Sequence, residues 1–99
     1  MSIYVFDLDG TLCRTEGREY GASEPILERI GRVNKLYAEG HTIIIDTARG
    51  TVTGHNHYQL TMQQLADWGV RYHDLIVGRK PYGDFYIEDK GIRDDQFFV

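Results

Sequence analysis

The fold is decided by an apolar run near the start of the chain, Ile3-Tyr4-Val5-Phe6, which ends in the polar turn Asp7-Leu8-Asp9-Gly10-Thr11. A short continuous run of β-branched and aromatic residues is typical of a strand that is buried on both faces. A second such run, Thr42-Ile43-Ile44-Ile45, ends in the polar stretch Asp46-Thr47-Ala48-Arg49-Gly50. Since ligands of open α/β sheets bind at the carboxyl ends of the strands, the two polar stretches predict a site at that edge.

Two amphipathic helices are predicted after these strands. The first opens near Ser23-Glu24-Pro25, carries apolar residues at helical spacing up to Tyr37, and ends at Gly40. The second is marked by apolar residues from Tyr58 to Ala66 and ends at Gly69. Each helix would connect one strand of a parallel sheet to the next.

Three more short apolar runs predict further strands: Leu75-Ile76-Val77, Phe85-Tyr86-Ile87 and Phe97-Phe98-Val99. The pattern predicts an α/β fold, a small Rossmann-like three-layer sandwich with a mostly parallel sheet of about five strands. Residues 78–84 are too few for a crossover helix, so the Leu75 strand is expected to be short and either to lie at an edge or barely to pair, which lets Arg79-Lys80-Pro81 cross the mouth of the site. Residues 1–99 are predicted to form a single domain without a cap domain, because 12–41 and 50–74 are each used up by one loop and one helix.

Composition excludes several classes of function. The chain has 99 residues, with 11 Lys and Arg against 15 Asp and Glu, and a formal net charge of −4. This balance argues against nucleic acid and anionic membranes as partners. No apolar run approaches the roughly 20 residues that span a bilayer. With one cysteine and no basic and apolar leader after Met1, a cytoplasmic location is expected.

The predicted edge collects acidic residues around one lysine. Asp7, Asp9, Glu88 and Asp89 follow strands, and Lys80 lies in the connection before Phe85. Clustered carboxylates repel each other unless a cation separates them, and an oxygen ligand set suits Mg²⁺. A lysine cannot bind that cation, so its natural partner is a second anion, such as phosphate.

These residues resemble the motifs of the haloacid dehalogenase superfamily of phosphohydrolases. Phe6-Asp7-Leu8-Asp9-Gly10-Thr11 looks like the first motif, Thr47 is similar to the hydroxyl residue of the second, Lys80-Pro81 to the third, and Ile87-Glu88-Asp89 to the acidic fourth. The match spans about residues 3 to 93, and its first motif is the most specific. The segments 46–50 and 77–92 also look similar to a capsule-biosynthesis phosphatase group, whose substrates are presumed sugar phosphates.

The resemblance implies a role for each matched residue. Asp7 would attack phosphorus, and Asp9 would protonate the leaving oxygen and then activate water. Mg²⁺ would be bound by the carboxylates of Asp7 and Asp89 and by the backbone carbonyl of Asp9. Glu88 would contact the ion more readily through a water molecule than directly. Thr47 and Lys80 would bind the phosphoryl group.

The roles of two arginines and the choice among three functions stay open. Arg14 and Arg49 follow two of the motifs and are candidates for binding the rest of the substrate. The leading hypothesis is a phosphatase that acts on a small phosphorylated substrate. The alternatives are a nucleic-acid end phosphatase and a receiver-like phosphoacceptor domain. Because no cap domain is predicted to cover the site, a second copy of the chain could cover one side of it. A homo-oligomer is therefore expected.

Overall fold

The computed structural model describes residues 1–17, 19–49, 57–77, 85–87 and 94–98. In chain order its strands are β1 (Ile3–Asp7), β2 (Cys13–Arg14), β3 (Glu24–Pro25), β4 (Thr42–Thr47), β5 (Asp74–Val77) and β6 (Phe85–Ile87). Its α-helices are α1 (Leu27–Ala38), α2 (His57–Asp67) and α3 (Asp94–Phe97). A 3₁₀ turn covers Tyr20–Ala22.

The main sheet has four parallel strands in the order β5-β4-β1-β6. β1 lies inside the sheet, with Val5 in register with Ile44 on β4 and with Tyr86 on β6. β5 is a four-residue strand at one edge, which confirms the prediction for the Leu75 run. The α/β class and the parallel sheet are therefore confirmed, while the described sheet has four strands where about five were predicted.

The core lies between this sheet and the helices. Phe6, Ile43, Ile45, Leu65 and Ile87 are fully buried. β4 alternates between buried residues at 43, 45 and 47 and half-buried residues at 42, 44 and 46, as expected from the period of two in a strand. This alternation turns the Thr47 side chain toward the buried side.

Glycines end both helices as predicted. Gly40 follows α1 with φ of 96°, and Gly69 follows α2 with φ of 71°. Glycine populates this left-handed region without the steric penalty that a Cβ atom brings. The chain can therefore turn directly from each helix toward the next strand.

The start of the first helix differs from the prediction. α1 begins at Leu27, and Glu24–Pro25 forms β3, which pairs antiparallel with β2. Proline has no amide hydrogen to donate, so it is tolerated in a two-stranded ribbon that leaves one side of each strand unpaired. β2 and β3 thus form a small antiparallel ribbon beside the end of β1, where a loop and the start of the first helix were expected.

The predicted edge strand at Phe97-Phe98-Val99 is wrong for the described residues. Phe97 ends the short helix α3, and Val99 lies outside the described residues. The rings of Phe97 and Phe98 lie 5.6 and 6.0 Å from the ring of Phe6, and Arg29 of α1 lies over Phe98 at 5.1 Å. Aromatic packing against β1 and α1 thus outweighs the strand preference of two phenylalanines.

Candidate active site

The turn after β1 keeps the two candidate aspartates at one edge of the sheet. β1 ends at Asp7, and the carbonyl of Leu8 accepts hydrogen bonds from the amides of residues 11–13 at 2.9–3.2 Å. Gly10 has φ of 85°, a conformation that favours glycine. The chain reverses immediately after Asp9, so both aspartates stay at the carboxyl end of β1.

The carboxylate of Asp9 is held by three side chains from two segments of the chain. Arg49 donates from Nε to Oδ2 at 2.9 Å and from Nη2 to Oδ1 at 2.7 Å, a bidentate ion pair. The hydroxyl of Thr15 donates to Oδ1 at 2.6 Å, and the hydroxyl of Thr47 lies 3.5 Å from Oδ2. The Asp9 side chain keeps 27% of its surface exposed, so it remains accessible from solvent.

Opposing effects act on the pKa of Asp9. Burial disfavours the charged form and raises the pKa, but hydrogen bonds from Arg49 and Thr15 and the charge of Arg49 lower it. The hydrogen bonds and the charge prevail, and the pKa of Asp9 lies below its usual value of 3.8. The carboxylate is therefore ionised at neutral pH in the structure described.

Arg49 is buried inside the protein, with 1% of its surface exposed. Nη1 donates to the side-chain oxygen of Gln64 and to Thr61 Oγ1 at 3.2 Å, both on α2. Nη2 also donates to Ser23 Oγ at 3.3 Å. The ring of Tyr20 lies 4.8 Å from the guanidinium carbon. The guanidinium therefore links α2, Tyr20 and Ser23 to Asp9.

Thr47 lies at the end of β4, beside Asp9. Its hydroxyl accepts a hydrogen bond from the amide of Arg49 at 3.2 Å, and its surface is 1% exposed. This local bond turns the chain after β4 and directs the hydroxyl toward Asp9. The structure thus brings Asp7, Asp9 and Thr47 to the same edge.

The other predicted site residues have different positions. Arg14 lies exposed on β2 and lines a cavity of about 420 Å³ together with Glu16, Glu19 and Glu24. Lys80, Glu88 and Asp89 lie outside the described residues, as does Asn56, predicted to begin the second helix. β6 ends at Ile87, immediately before Glu88 in the chain, and Ile87 is in register with Phe6.

The donors in the described part of the site fit Mg²⁺ in chemistry. They are the carboxylate of Asp7 and the backbone carbonyl of Asp9, both oxygen ligands. The carboxylate of Asp9 is occupied by Arg49, which agrees with a contact through its carbonyl. No group of three or more His, Cys, Asp or Glu that could hold a metal ion is found within the described ranges, which exclude Glu88 and Asp89.

The polar residues that surround Arg49 were not predicted from the sequence. Thr61 and Gln64 are buried on α2, whereas Tyr58 and Met62, two of the apolar residues that mark the predicted helix, are each 43% exposed. Thr61, Gln64 and Leu65 share one face at helical spacing, so the pattern alone allowed this face to be the inner one. The signal was an arginine directly after a buried strand, because a buried guanidinium needs polar partners.

The fold and the site define a parallel α/β protein with acidic residues at the carboxyl edge of its sheet. No protein-family model matches the chain, and no curated protein matches it. Its fold is similar to the crystal structure of an MCSG target from Vibrio cholerae, with a TM-score of 0.78 and 28% sequence identity. That match covers 99% of this chain and 88% of the other.

A second similar structure is a chain of the Pnkp1/Rnl/Hen1 complex, with a TM-score of 0.62 and 22% identity. The match covers 97% of this chain but 33% of the other, so this chain spans about a third of that neighbour. The second likeness shows a shared fold alone. Among the described helices, none is both long and apolar enough to cross a membrane.

Proposed function

We propose that this chain is a Mg²⁺-dependent phosphomonoester hydrolase that forms an aspartyl phosphate on Asp7. The observation that carries the proposal is the pairing of Asp7 and Asp9 at the end of β1, with Thr47 beside them at the end of β4. These residues belong to the first two motifs that resemble the haloacid dehalogenase superfamily. The arrangement supplies a nucleophile, an acid/base and a hydroxyl within one edge of the sheet.

In the proposed first step, a carboxylate oxygen of Asp7 attacks phosphorus while Asp9 protonates the leaving oxygen. In the second step, Asp9 takes a proton from water, which attacks the aspartyl phosphate and releases inorganic phosphate. A bound Mg²⁺ would neutralise charge on the phosphoryl group. Arg49 favours the ionised Asp9 needed in the second step, and the negative charge of a bound substrate raises the pKa of Asp9 for the first.

A small substrate, such as a sugar phosphate, is proposed from the charges on the segment that follows β1. Among the described residues, those that line the cavity beside Arg14 include Glu16, Glu19 and Glu24, whose charges repel a polyanion. A sugar offers hydroxyl groups that carboxylates can accept hydrogen bonds from. This surface favours a substrate with one phosphate and a polar neutral body.

A nucleic-acid end phosphatase is the second candidate, because one observation favours it. Arg14, Arg29 and Arg32 line another cavity of about 210 Å³, and clustered arginines are typical contacts for phosphate backbones. The receiver-like alternative is less well supported. Receiver domains place the first strand of their sheet between the second and the third. Here β1 lies between β4 and β6, which are the second and the fourth strands of the main sheet in chain order.

The test is phosphate release from sugar phosphates, nucleotides and phosphorylated oligonucleotides, with Mg²⁺ present. We expect turnover of a small phosphomonoester, and a loss of more than about 100-fold in kcat for Asp7→Asn, because the nucleophile is removed. Asp67→Asn is the matched control, since Asp67 is an exposed acid at the far end of α2, and should leave turnover unchanged. Activity on oligonucleotide ends alone would favour the second candidate, and no activity on any substrate would contradict both.

A further inference from the structure

We propose that Arg49 is a positioning residue that orients the carboxylate of Asp9 for proton transfer. This inference rests on the proposed function and departs from the sequence-based prediction that Arg49 contacts substrate. Arg49 is 1% exposed, and its guanidinium points into the protein. A residue in that position acts on the reaction through its neighbours.

The hydrogen-bond inventory of Arg49 supports this role. A guanidinium has five N–H donors. Its Nε bonds Asp9 Oδ2, its Nη1 bonds Gln64 and Thr61, and its Nη2 bonds Asp9 Oδ1 and Ser23. Five donors thus meet five oxygen acceptors of the protein, so a substrate contact would have to displace one of these bonds.

The guanidinium is itself held in one orientation. Gln64 accepts from Nη1 and donates from its own amide to the carbonyl of Tyr20, which ties α2 to the 3₁₀ turn. The ring of Tyr20 covers the guanidinium. The Arg49 guanidinium is thus fixed at its edge by hydrogen bonds and on its face by the Tyr20 ring. Its bidentate contact then fixes the orientation of the Asp9 carboxylate.

The contacts also distinguish the two oxygens of Asp9. Oδ1 accepts short bonds from Thr15 at 2.6 Å and from Arg49 Nη2 at 2.7 Å. Oδ2 accepts one bond of 2.9 Å from Nε and faces the Thr47 hydroxyl at 3.5 Å. Oδ2 therefore keeps lone-pair capacity on the side where the phosphoryl group is proposed to bind, and we assign the proton transfer to it.

The test compares leaving groups, using kcat/KM because this parameter covers only the steps up to transfer of phosphate to Asp7. An alkyl phosphate needs a proton on its leaving oxygen, whereas p-nitrophenolate leaves without one. For Arg49→Lys, we expect kcat/KM to fall about 100-fold on the alkyl phosphate and much less on p-nitrophenyl phosphate. Lysine keeps the charge but cannot make the bidentate contact. Inhibition by inorganic phosphate should be unchanged.

A double-mutant cycle separates positioning from a substrate contact. If Arg49 acts through Asp9, Arg49→Lys should cause no further loss of kcat/KM for p-nitrophenyl phosphate in the Asp9→Asn background. If the losses of kcat/KM from the two substitutions multiply in the double variant, the inference is overturned. It is also overturned if Arg49→Lys lowers kcat/KM equally on both substrates and weakens inhibition by phosphate. If Arg49→Lys does not fold, Gln64→Met serves as the second variant. Methionine has a similar volume but cannot accept the Arg49 hydrogen bond in the same way, so Arg49 is held less firmly while Asp9 is unchanged, and the same leaving-group pattern is expected.

Arg71→Lys is the control for an arginine-to-lysine change. Arg71 is exposed, lies over the ring of Tyr37 at 4.4 Å, and precedes β5 at the amino end of the sheet. Its kinetics should match the wild type on both substrates. A wild-type protein with no phosphatase activity would overturn the proposed function and this inference together, whereas an active wild type with no leaving-group effect would overturn the inference alone.

Discussion

Asp9 should make the stability of the protein depend on pH. Its folded-state pKa lies below the usual value of 3.8, so the ionised form stabilises the fold above that value. This stabilisation is lost as the pH falls through the folded-state pKa. The difference in unfolding free energy between wild type and Asp9→Asn should therefore be constant above about pH 5 and should change in favour of the variant below about pH 4.

Urea unfolding between pH 3 and pH 7, with EDTA present to exclude metal binding, measures this difference. Arg49 would be buried without its partner in the variant, which lowers stability at every pH and does not alter the expected slope. Parallel stability curves for the two proteins would show that the ion pair in the structure does not govern the ionisation of Asp9.

Cys13 should be a slow nucleophile. Burial, together with the nearby charge of Asp9, raises the pKa of its thiol to about 11, and its side chain is fully buried. Only the thiolate reacts with alkylating agents. Iodoacetamide at pH 8 should therefore label the folded protein at least about 100-fold more slowly than the urea-unfolded chain, measured by mass spectrometry. Equal rates would place the thiol in contact with solvent.

Among the structural elements, α2 depends on a small buried face. Leu65 is fully buried, whereas Gln63 is exposed and donates a hydrogen bond to Asp67 on its own helix. Leu65→Ala should lower the free energy of unfolding by about 2–5 kcal/mol, because it removes buried surface and leaves a cavity. Gln63→Ala should change it by less than about 0.5 kcal/mol. Equal effects in urea unfolding would mean that the face of α2 assigned here is wrong.

The predictability of these elements follows from the physics of each one. β1 and β4 are apolar runs bounded by polar turns, and Gly40 and Gly69 end helices through local backbone geometry, so local sequence was sufficient for them. The β2–β3 ribbon depends on pairing between residues 13–14 and 24–25, which no periodicity reveals. α3 depends on packing against Phe6, a contact that is remote in sequence.

The candidate site was predictable to a similar extent. Asp7, Asp9 and Thr47 were predicted to lie together because strand ends converge at one edge of a parallel sheet, and the structure places them at that edge. The buried position of Arg49 was not predicted, because the choice between solvent and interior depends on partners 12 and 15 residues away on α2. Tertiary hydrogen bonding of this kind leaves no repeat in the sequence.

For the molecule as a whole, the order β5-β4-β1-β6 sets where a ligand meets the sheet. The strands that follow β1 in this sheet, β4 and then β5, are added on one side of β1, and the next strand, β6, lies on its other side. Such a switch point forms a crevice at the carboxyl ends of the strands. The crevice carries Asp7, and Asp89 follows β6 in sequence. Asp7 and Asp89 would hold Mg²⁺ at this edge, where its charge would neutralise that of a phosphoryl group.

Chelation should accordingly abolish activity. EDTA should reduce phosphate release to background, and added Mg²⁺ should restore it, because the phosphoryl charge is then neutralised. Ca²⁺ should compete with Mg²⁺ without supporting turnover, since its larger and less regular coordination displaces the phosphoryl group from Asp7. Full activity after thorough chelation would contradict a metal-dependent site.

The most direct measurement is chemical trapping of the phosphorylated residue. The protein is mixed with a phosphomonoester and Mg²⁺, quenched, and treated with borohydride, which reduces an aspartyl phosphate to homoserine. We predict homoserine at position 7 by peptide mass spectrometry, and none in Asp7→Asn or without substrate. Homoserine at another position, such as Asp46 on β4, or phosphate release with no homoserine at position 7, would contradict catalysis through Asp7.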